Sequence, residues 1–415
     1  MQGRRVVGQR HQLARAHERG RRVEQIGQRD HGHDPTPALR AGGDSRRVEI
    51  AGEREQSRRL LGVEDDLLTL FVEDHQRGSG HRRTVASIGM QALVITPDAQ
   101  LRVEERPDPE PGDGEVLVRV HGAGLNRADL VQLAGHYAAP PGSPPDIPGL
   151  EFAGEVVAHG SGVTAPALGA RVFGIAGGGG QAELLAVPAV QCAQVPDALD
   201  LVTAGGVPEV FMTAHDAIVT QAQLRRGETL LVHAVGSGVG TAALQLAHAM
   251  GATVVGTART AEKLEQCTAL GLDHAVLAAR TLDPVALADA VTAAAGPVHV
   301  VLELVGGDYF VADLRVVGPR GRIVLVGVMA GTRAEIDLGA MLFKRLRVYG
   351  TTLRGRSVVE KAAATDAFTR DVVPLLATGT VAPVVARTLP LADARVAYDL
   401  LAADAVFGTI VLDLT

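Results

Sequence analysis

The sequence predicts a two-domain α/β protein in which a β-rich, barrel-like domain is split around an inserted, doubly wound parallel sheet. Three observations predict it. Residues 90–213 read as short strands separated by turn signals. Residues 214–354 alternate apolar strands with helical stretches. Residues 355–415 then return to helix and strand after the alternation ends. A segment of different character, residues 1–89, comes before all three.

That first segment holds 17 Arg, no Lys and 13 acids, so it carries +4 while the remainder carries −11. It has too many acids for a transit peptide and no apolar stretch for a signal peptide. Two readings fit it: a disordered extension, or a stretch outside the native product, with translation starting at Met90, where the strand-like QALVI begins. From there ALVI, EVLVRVHGAG, FAGEVVAHG, ARVFGIA and AELLAV give the first β-rich part. LLVHAV, TVVGTA, HAVL, VHVVLEL and RIVLVGV give the strands of the alternating part. Helices are expected over Gly238 to Met250, Glu262 to Leu270 and Pro284 to Ala294, and RLRVYGTTL, Arg345 to Leu353, is expected to close the sheet. Ser357 and Glu360 have the spacing of a capping box, and VVARTL, LADARVAYDLLAA and FGTIVLDL return to the first domain.

Composition narrows the function classes. Of 415 residues 46% are apolar, but only 3% are aromatic and none is Trp, so the cores are built from Val, Leu and Ala. No run of about 18 uncharged apolar residues suggests a membrane span. The net charge of −7 argues against general nucleic-acid affinity. The two cysteines, Cys192 and Cys267, form neither a disulfide framework nor a zinc cluster and read as buried small hydrophobes. A cytoplasmic chain with no membrane or nucleic-acid partner is expected.

The stretch AVGSGVG, Ala234 to Gly240, follows one strand and opens the first helix of the alternating part. Gly236 is expected to allow the tight turn, Gly238 the approach of a ligand to the backbone, and Gly240 close helix–strand packing. With Ser237 and Val239 these residues aim free N–H groups and the positive end of the helix at one point, which suits a pyrophosphate. A dinucleotide in a Rossmann sheet is the expectation. An NAD site has an acid at the end of the second strand, but here Ala258 takes that position. Arg259 and Lys263 follow, and the chain has only three lysines. That pair favours a 2′-phosphate, hence NADPH.

At this point the sequence resembles the medium-chain dehydrogenase/reductase superfamily, whose GroES-like catalytic domain is split around a Rossmann domain. Within it the chain is similar to the zinc-independent NADPH:quinone oxidoreductases, in the tumour-suppressor-inducible type. The stretches that carry the resemblance include GAGLNRADLVQLAGHYAAPPG, LGARVFGIAGGGGQAE, GGVPEVFMTAHDAI, LELVGGDYF, LVGVMAG and MLFKRLRVYGTTLRGR, in order over residues 90–415. Where zinc-dependent relatives carry their ligands, this chain has Leu125 and Asn126, then Gly149-Leu150-Glu151. No metal is expected.

Without a metal the acceptor must take hydride readily by itself, as a quinone does and an enone does less easily. The resemblance implies that Asn126 and Tyr137 face the nicotinamide and substrate, with Asp129 supporting them. Asn126 reads equally as a turn cap, and Tyr137 as packing against Pro140 and Pro141. By the same resemblance Thr213 approaches the nicotinamide carboxamide, with Glu209 nearby, and Val328 and Met329 lie under the ring. Phe343 and Arg354 close over the cofactor, and Gly177 to Gly180 form a constrained loop. Ala278 stands where relatives place a Tyr near the adenosine. His121, His136, His215 and His233 have no carboxylate or cysteine at metal-ligand spacing and read as packed or surface side chains. Three functions stay open: a quinone reductase, an enoyl or enone reductase, and a nucleotide-binding structural protein without turnover. The edge strand implies a homodimer.

Overall fold

The structure is a computed structural model, and it describes residues 89–415. Both readings of residues 1–88 lie outside the described residues. Six strands form one parallel sheet in the spatial order His274–Leu277, Thr253–Ala258, Thr229–Val232, Val298–Glu303, Val317–Leu325 and Arg347–Gly350. These strands are apolar along both faces because helices cover both. Leu230, Val232, Val254 and Leu302 pack with Ala242, Leu244 and Leu246 of helix Gly238–Ala249 on one face. Leu231, Val255 and Val301 point the other way, onto Leu287 and Val291 of helix Pro284–Ala295 and Ala312 of helix Asp308–Val316. Alternation along each strand feeds two separate cores, which is what makes the sheet doubly wound.

The second sheet takes strands from either side of this insertion. Its order is Val385–Pro390, Thr409–Asp413, Glu115–Leu125, Glu151–His159, Arg171–Ile175 and Cys192–Gln194, with Leu184–Pro188 also paired to Glu115–Leu125. All pairs are antiparallel except Val385–Pro390 with Thr409–Asp413. Its core joins Val116, Val118, Phe152 and Val172 to Tyr398, Leu401 and Leu412. This is the GroES-like domain split around a Rossmann domain. No helix among the described residues is long and apolar enough to cross a membrane.

Some expectations change in detail. The last strand of the parallel sheet covers only Arg347–Gly350, because Arg345 at φ 56° caps helix Leu338–Lys344 in the left-handed region. That helix and Asp308–Val316 were hidden because each is short and follows glycines or charged turns. The capping box is present: the Ser357 N–H donates to Glu360 Oε2 at 2.9 Å, and the Glu360 N–H donates back to Ser357 Oγ at 3.3 Å. Cys267 is fully buried as expected, whereas Cys192 is only partly covered, because it opens a strand at the sheet's edge.

His215 and His233 are packed side chains, as expected, but each has a carboxylate partner that its own surroundings in sequence do not show. His233 lies 2.8 Å from Asp313 Oδ1 and 2.9 Å from Thr257 Oγ1, in a fully buried group with Glu303. His215 meets Asp371 at 3.0 Å. Both carboxylates belong to distant elements, so spacing in sequence did not reveal them. Burial pushes Asp313 up to about 7 and Glu303 up to about 8, and it pulls His233 down. The folded chain therefore keeps carboxyl protons that the unfolded chain releases near pH 4. Their stabilising effect is complete at low pH and is lost as pH rises through the folded values. Urea midpoints are expected to fall from about pH 6.5 to about pH 8.5, and Glu303→Gln should flatten that slope by up to about 1.4 kcal/mol per pH unit.

Candidate active site

The glycine turn brings one half of the site. Ser237 caps helix Gly238–Ala249 by accepting the Gly240 N–H at 3.1 Å, which leaves the first helical N–H groups without intrahelical acceptors. A Cβ on Gly240 would come within 2.5 Å of the Ala234 carbonyl oxygen, so this glycine lets helix and strand meet, as expected. Gly236 has a different reason from the expected one. The residue of the turn with positive φ is Ala234 at 51°. A side chain at Gly236 would instead press on Lys263 and Phe407, each 3.2 Å away. Gly238 sits against Val210, whose Cγ1 would be 2.9 Å from an added Cβ. The bare backbone and open N–H groups fit the pyrophosphate of a dinucleotide.

The other half centres on Glu151, a residue that zinc-ligand spacing had made look like a remnant. Its Oε1 accepts the Asn126 Nδ2–H at 2.8 Å, and its Oε2 accepts the Glu209 backbone N–H at 2.8 Å. Asn126 also begins helix Arg127–Leu133, where Asp129 Oδ2 accepts the Asn126 N–H at 2.8 Å and Asp129 Oδ1 accepts the Gly149 N–H at 3.3 Å. So Asn126 caps the helix while one of its amide hydrogens is fixed on Glu151. Burial drives the three carboxyls upward, Asp129 to about 6, Glu209 to about 7 and Glu151 to about 8.

The zinc of the wider family does not fit here. The Asn126 amide is bonded to Glu151, Leu125 and Leu150 are apolar, and Glu151's second oxygen is taken by a backbone N–H. Neither an imidazole nor a thiolate stands at these positions.

Arg354 corrects the expectation that it closes over the cofactor. It is 3% exposed, and its guanidinium donates to Gly177 O at 2.8 Å, Tyr137 O at 2.9 Å and Gln132 Oε1 at 2.6 Å. It also lies 4.7 Å from the Tyr137 ring centre. These contacts tie the constrained Gly177–Gly180 loop and the Tyr137 loop to the inserted domain's exit. The Tyr137 hydroxyl makes no hydrogen bond among the described residues, and burial raises its pKa. Thr213 is buried on helix Pro208–His215, one turn beyond Glu209.

Other expected residues lie apart from this cluster. Val328 and Met329 are about half exposed, and Phe343 is 84% exposed on helix Leu338–Lys344. Ala278 is buried just past strand His274–Leu277. Arg259 and Lys263 both reach Asp404, a partner the sequence reading had not identified.

A GroES-like domain split around a Rossmann sheet with this glycine turn is the architecture of the medium-chain dehydrogenase/reductases. Comparison with known proteins agrees. The alcohol dehydrogenase GroES-like domain family matches residues 112–197, and the zinc-binding dehydrogenase family matches residues 238–367. Quinone oxidoreductase-like protein 2 from Bos taurus is 33% identical over 237 residues, which are 57% of this chain and 67% of that protein. A mycobacterial protein solved in complex with NADPH is 30% identical, with a TM-score of 0.69, over 78% of this chain and 100% of that one. The pikromycin polyketide synthase component PikAII of Streptomyces venezuelae is 39% identical over 221 residues, so this chain covers 53% of itself and only 6% of that relative. The chain belongs to the medium-chain dehydrogenase/reductase superfamily, among its quinone oxidoreductase-like members.

Replacing Arg354 leaves three acceptors and a ring face without their cation. Arg354→Ala is expected to lower unfolding stability by about 3 kcal/mol, with Arg354→Lys recovering less than half because it lacks the planar fork. Urea unfolding of the two variants measures this.

Proposed function

We propose that this protein is an NADPH-dependent quinone reductase that works without a metal. The observation that supports the reading is that Asn126 and Leu150 stand at the positions of the resemblance's zinc ligands, with the Asn126 amide bonded to Glu151, whose other oxygen accepts the Glu209 N–H. An acceptor in such a cleft gains no Lewis-acid polarisation and must already favour reduction, as a quinone does. When bound, NADPH would supply the hydride. The Gly236–Gly240 turn would hold its pyrophosphate, with Arg259 and Lys263 toward a 2′-phosphate and Thr213, Val328 and Met329 toward the nicotinamide. The remaining Asn126 amide hydrogen would stabilise charge on a quinone oxygen, and the uncommitted Tyr137 hydroxyl would donate or relay a proton. Asp129 and Arg354 hold those two residues in place.

A second reading, an enoyl or enone reductase on the same scaffold, is favoured by the likeness to a polyketide synthase segment, whose name speaks of chain synthesis rather than quinones. The two differ in their need for a proton donor at carbon. Following NADPH oxidation, an ortho-naphthoquinone and a benzoquinone are expected to react at least about ten-fold faster than a crotonyl thioester. Tyr137→Phe should keep quinone rates within about five-fold, since loss of a required general acid costs about 100-fold or more. A reversed acceptor preference, or collapse of all activity in Tyr137→Phe, would favour the second reading. Binding of NADPH with no turnover of any acceptor would indicate a structural protein.

A homodimer forms part of this proposal. Strand Arg347–Gly350 is the unpaired edge of the parallel sheet, and the neighbouring helix Leu338–Lys344 exposes Leu338, Leu342 and Phe343 at 70%, 71% and 84%. A matching edge and apolar face from a second copy would cover both. Sedimentation equilibrium is expected to give the mass of two chains, and a single-chain mass would remove the dimer.

A further inference from the structure

Arg259 and Lys263, the cations read as the 2′-phosphate site, already hold an anion that belongs to the protein. Arg259 pairs with Asp404 Oδ2, while Lys263 Nζ donates to the Asp404 carbonyl oxygen at 2.9 Å and lies 3.6 Å from Oδ1. A third cation, Arg127, donates to Asp404 Oδ1 at 2.7 Å. Partial burial raises the Asp404 pKa, but the Arg259 hydrogen bond and the charges of Lys263 and Arg127 outweigh it, so the group is held below the usual carboxylate range. It stays ionised wherever the phosphate is.

The backbone aims this carboxylate. Asp404 ends helix Ala394–Ala402 with φ 56°, a left-handed conformation that Asp tolerates better than most residues. The chain then runs through Phe407 to Gly408, whose N–H donates to the Gly236 carbonyl oxygen at 2.9 Å. So the segment carrying Asp404 is pinned to the glycine turn itself. Beside it opens a cavity of about 520 Å3 walled by Thr260, Lys263, Gln266, Arg387, Asp404 and Phe407.

We propose that Asp404 is a resident competitor for the 2′-phosphate, lowering the preference for NADPH over NADH below what Arg259 and Lys263 would otherwise confer. The proposal rests on the reading that these two cations take the phosphate. Arg259 and Lys263 belong to the inserted domain, whereas Arg127 and Asp404 belong to the split one. When a phosphate takes the first pair, Asp404 retains Arg127 as a partner, so it is displaced without being left unpaired. A dianion offers more acceptor oxygens than the carboxylate, and the site still carries three cations against one acid.

The test is equilibrium binding of NADPH, NADH and adenosine 2′,5′-bisphosphate to the full chain, read by calorimetry. Asp404→Asn keeps the shape and removes the charge; Asp404→Gly suits the left-handed backbone and guards against a folding defect of the first variant. Both are expected to bind NADPH and the bisphosphate about ten-fold more tightly, with NADH unchanged within about two-fold, which doubles as the folding check. Unchanged or weaker NADPH binding in both variants, with NADH intact, overturns the competitor role. If Arg259→Ala and Lys263→Ala leave NADPH affinity untouched in the parent chain, the phosphate reading itself fails, and the proposal with it.

Discussion

A buried carboxyl whose two oxygens both accept hydrogen bonds joins three segments of the split domain. Glu151 starts the strand Glu151–His159, and its two oxygens fasten the Asn126 loop on one side and the start of helix Pro208–His215 on the other. The fit is tight enough that a side chain at Gly124 would lie 2.1 Å from Oε1. Removing one partner of such a group leaves a buried polar atom unsatisfied, which costs far more than the bond itself is worth. Two elements far apart in sequence are thus held in one geometry by a residue of a third. Asp129 repeats the device one layer back, joining the Asn126 and Gly149 N–H groups.

Two sets of charged contacts link the inserted domain to the split one. Arg354 leaves the inserted domain and satisfies three acceptors of the split domain, while Asp404 reaches the other way to Arg259 and Lys263. The interior of the parallel sheet carries a third set, His233, Glu303 and Asp313, whose members are neutralised by burial rather than by a counterion. Glu303 Oε1 also accepts the Gly306 N–H at 2.9 Å and the Val305 N–H, so the network shapes the loop that approaches Val328.

What the sequence made legible was local. The strand–glycine–helix turn, the alternation of strands and helices, and the Ser357 capping box are all written within a few residues, and they appear where expected. Asn126 was legible as a cap because its partner, Asp129, lies only three residues on. Glu151, Asp404 and Asp313 were not read correctly, because their partners lie far along the chain and nothing in their own surroundings marks them. Arg354 was placed beside the cofactor by resemblance alone, and only the fold shows that its fork already donates to Gly177, Tyr137 and Gln132. Gly236 taught the same lesson on a smaller scale: its missing side chain answers Lys263 and Phe407, not the turn angle.

The strand Thr409–Asp413 lies inside the GroES-like sheet, between Val385–Pro390 and Glu115–Leu125. During synthesis, therefore, Gly122–Leu125 lacks its partner while the inserted domain is made, whereas Leu184–Pro188 already pairs with Glu115–Arg119. That short open margin is a template for pairing with other chains until Thr409–Asp413 docks.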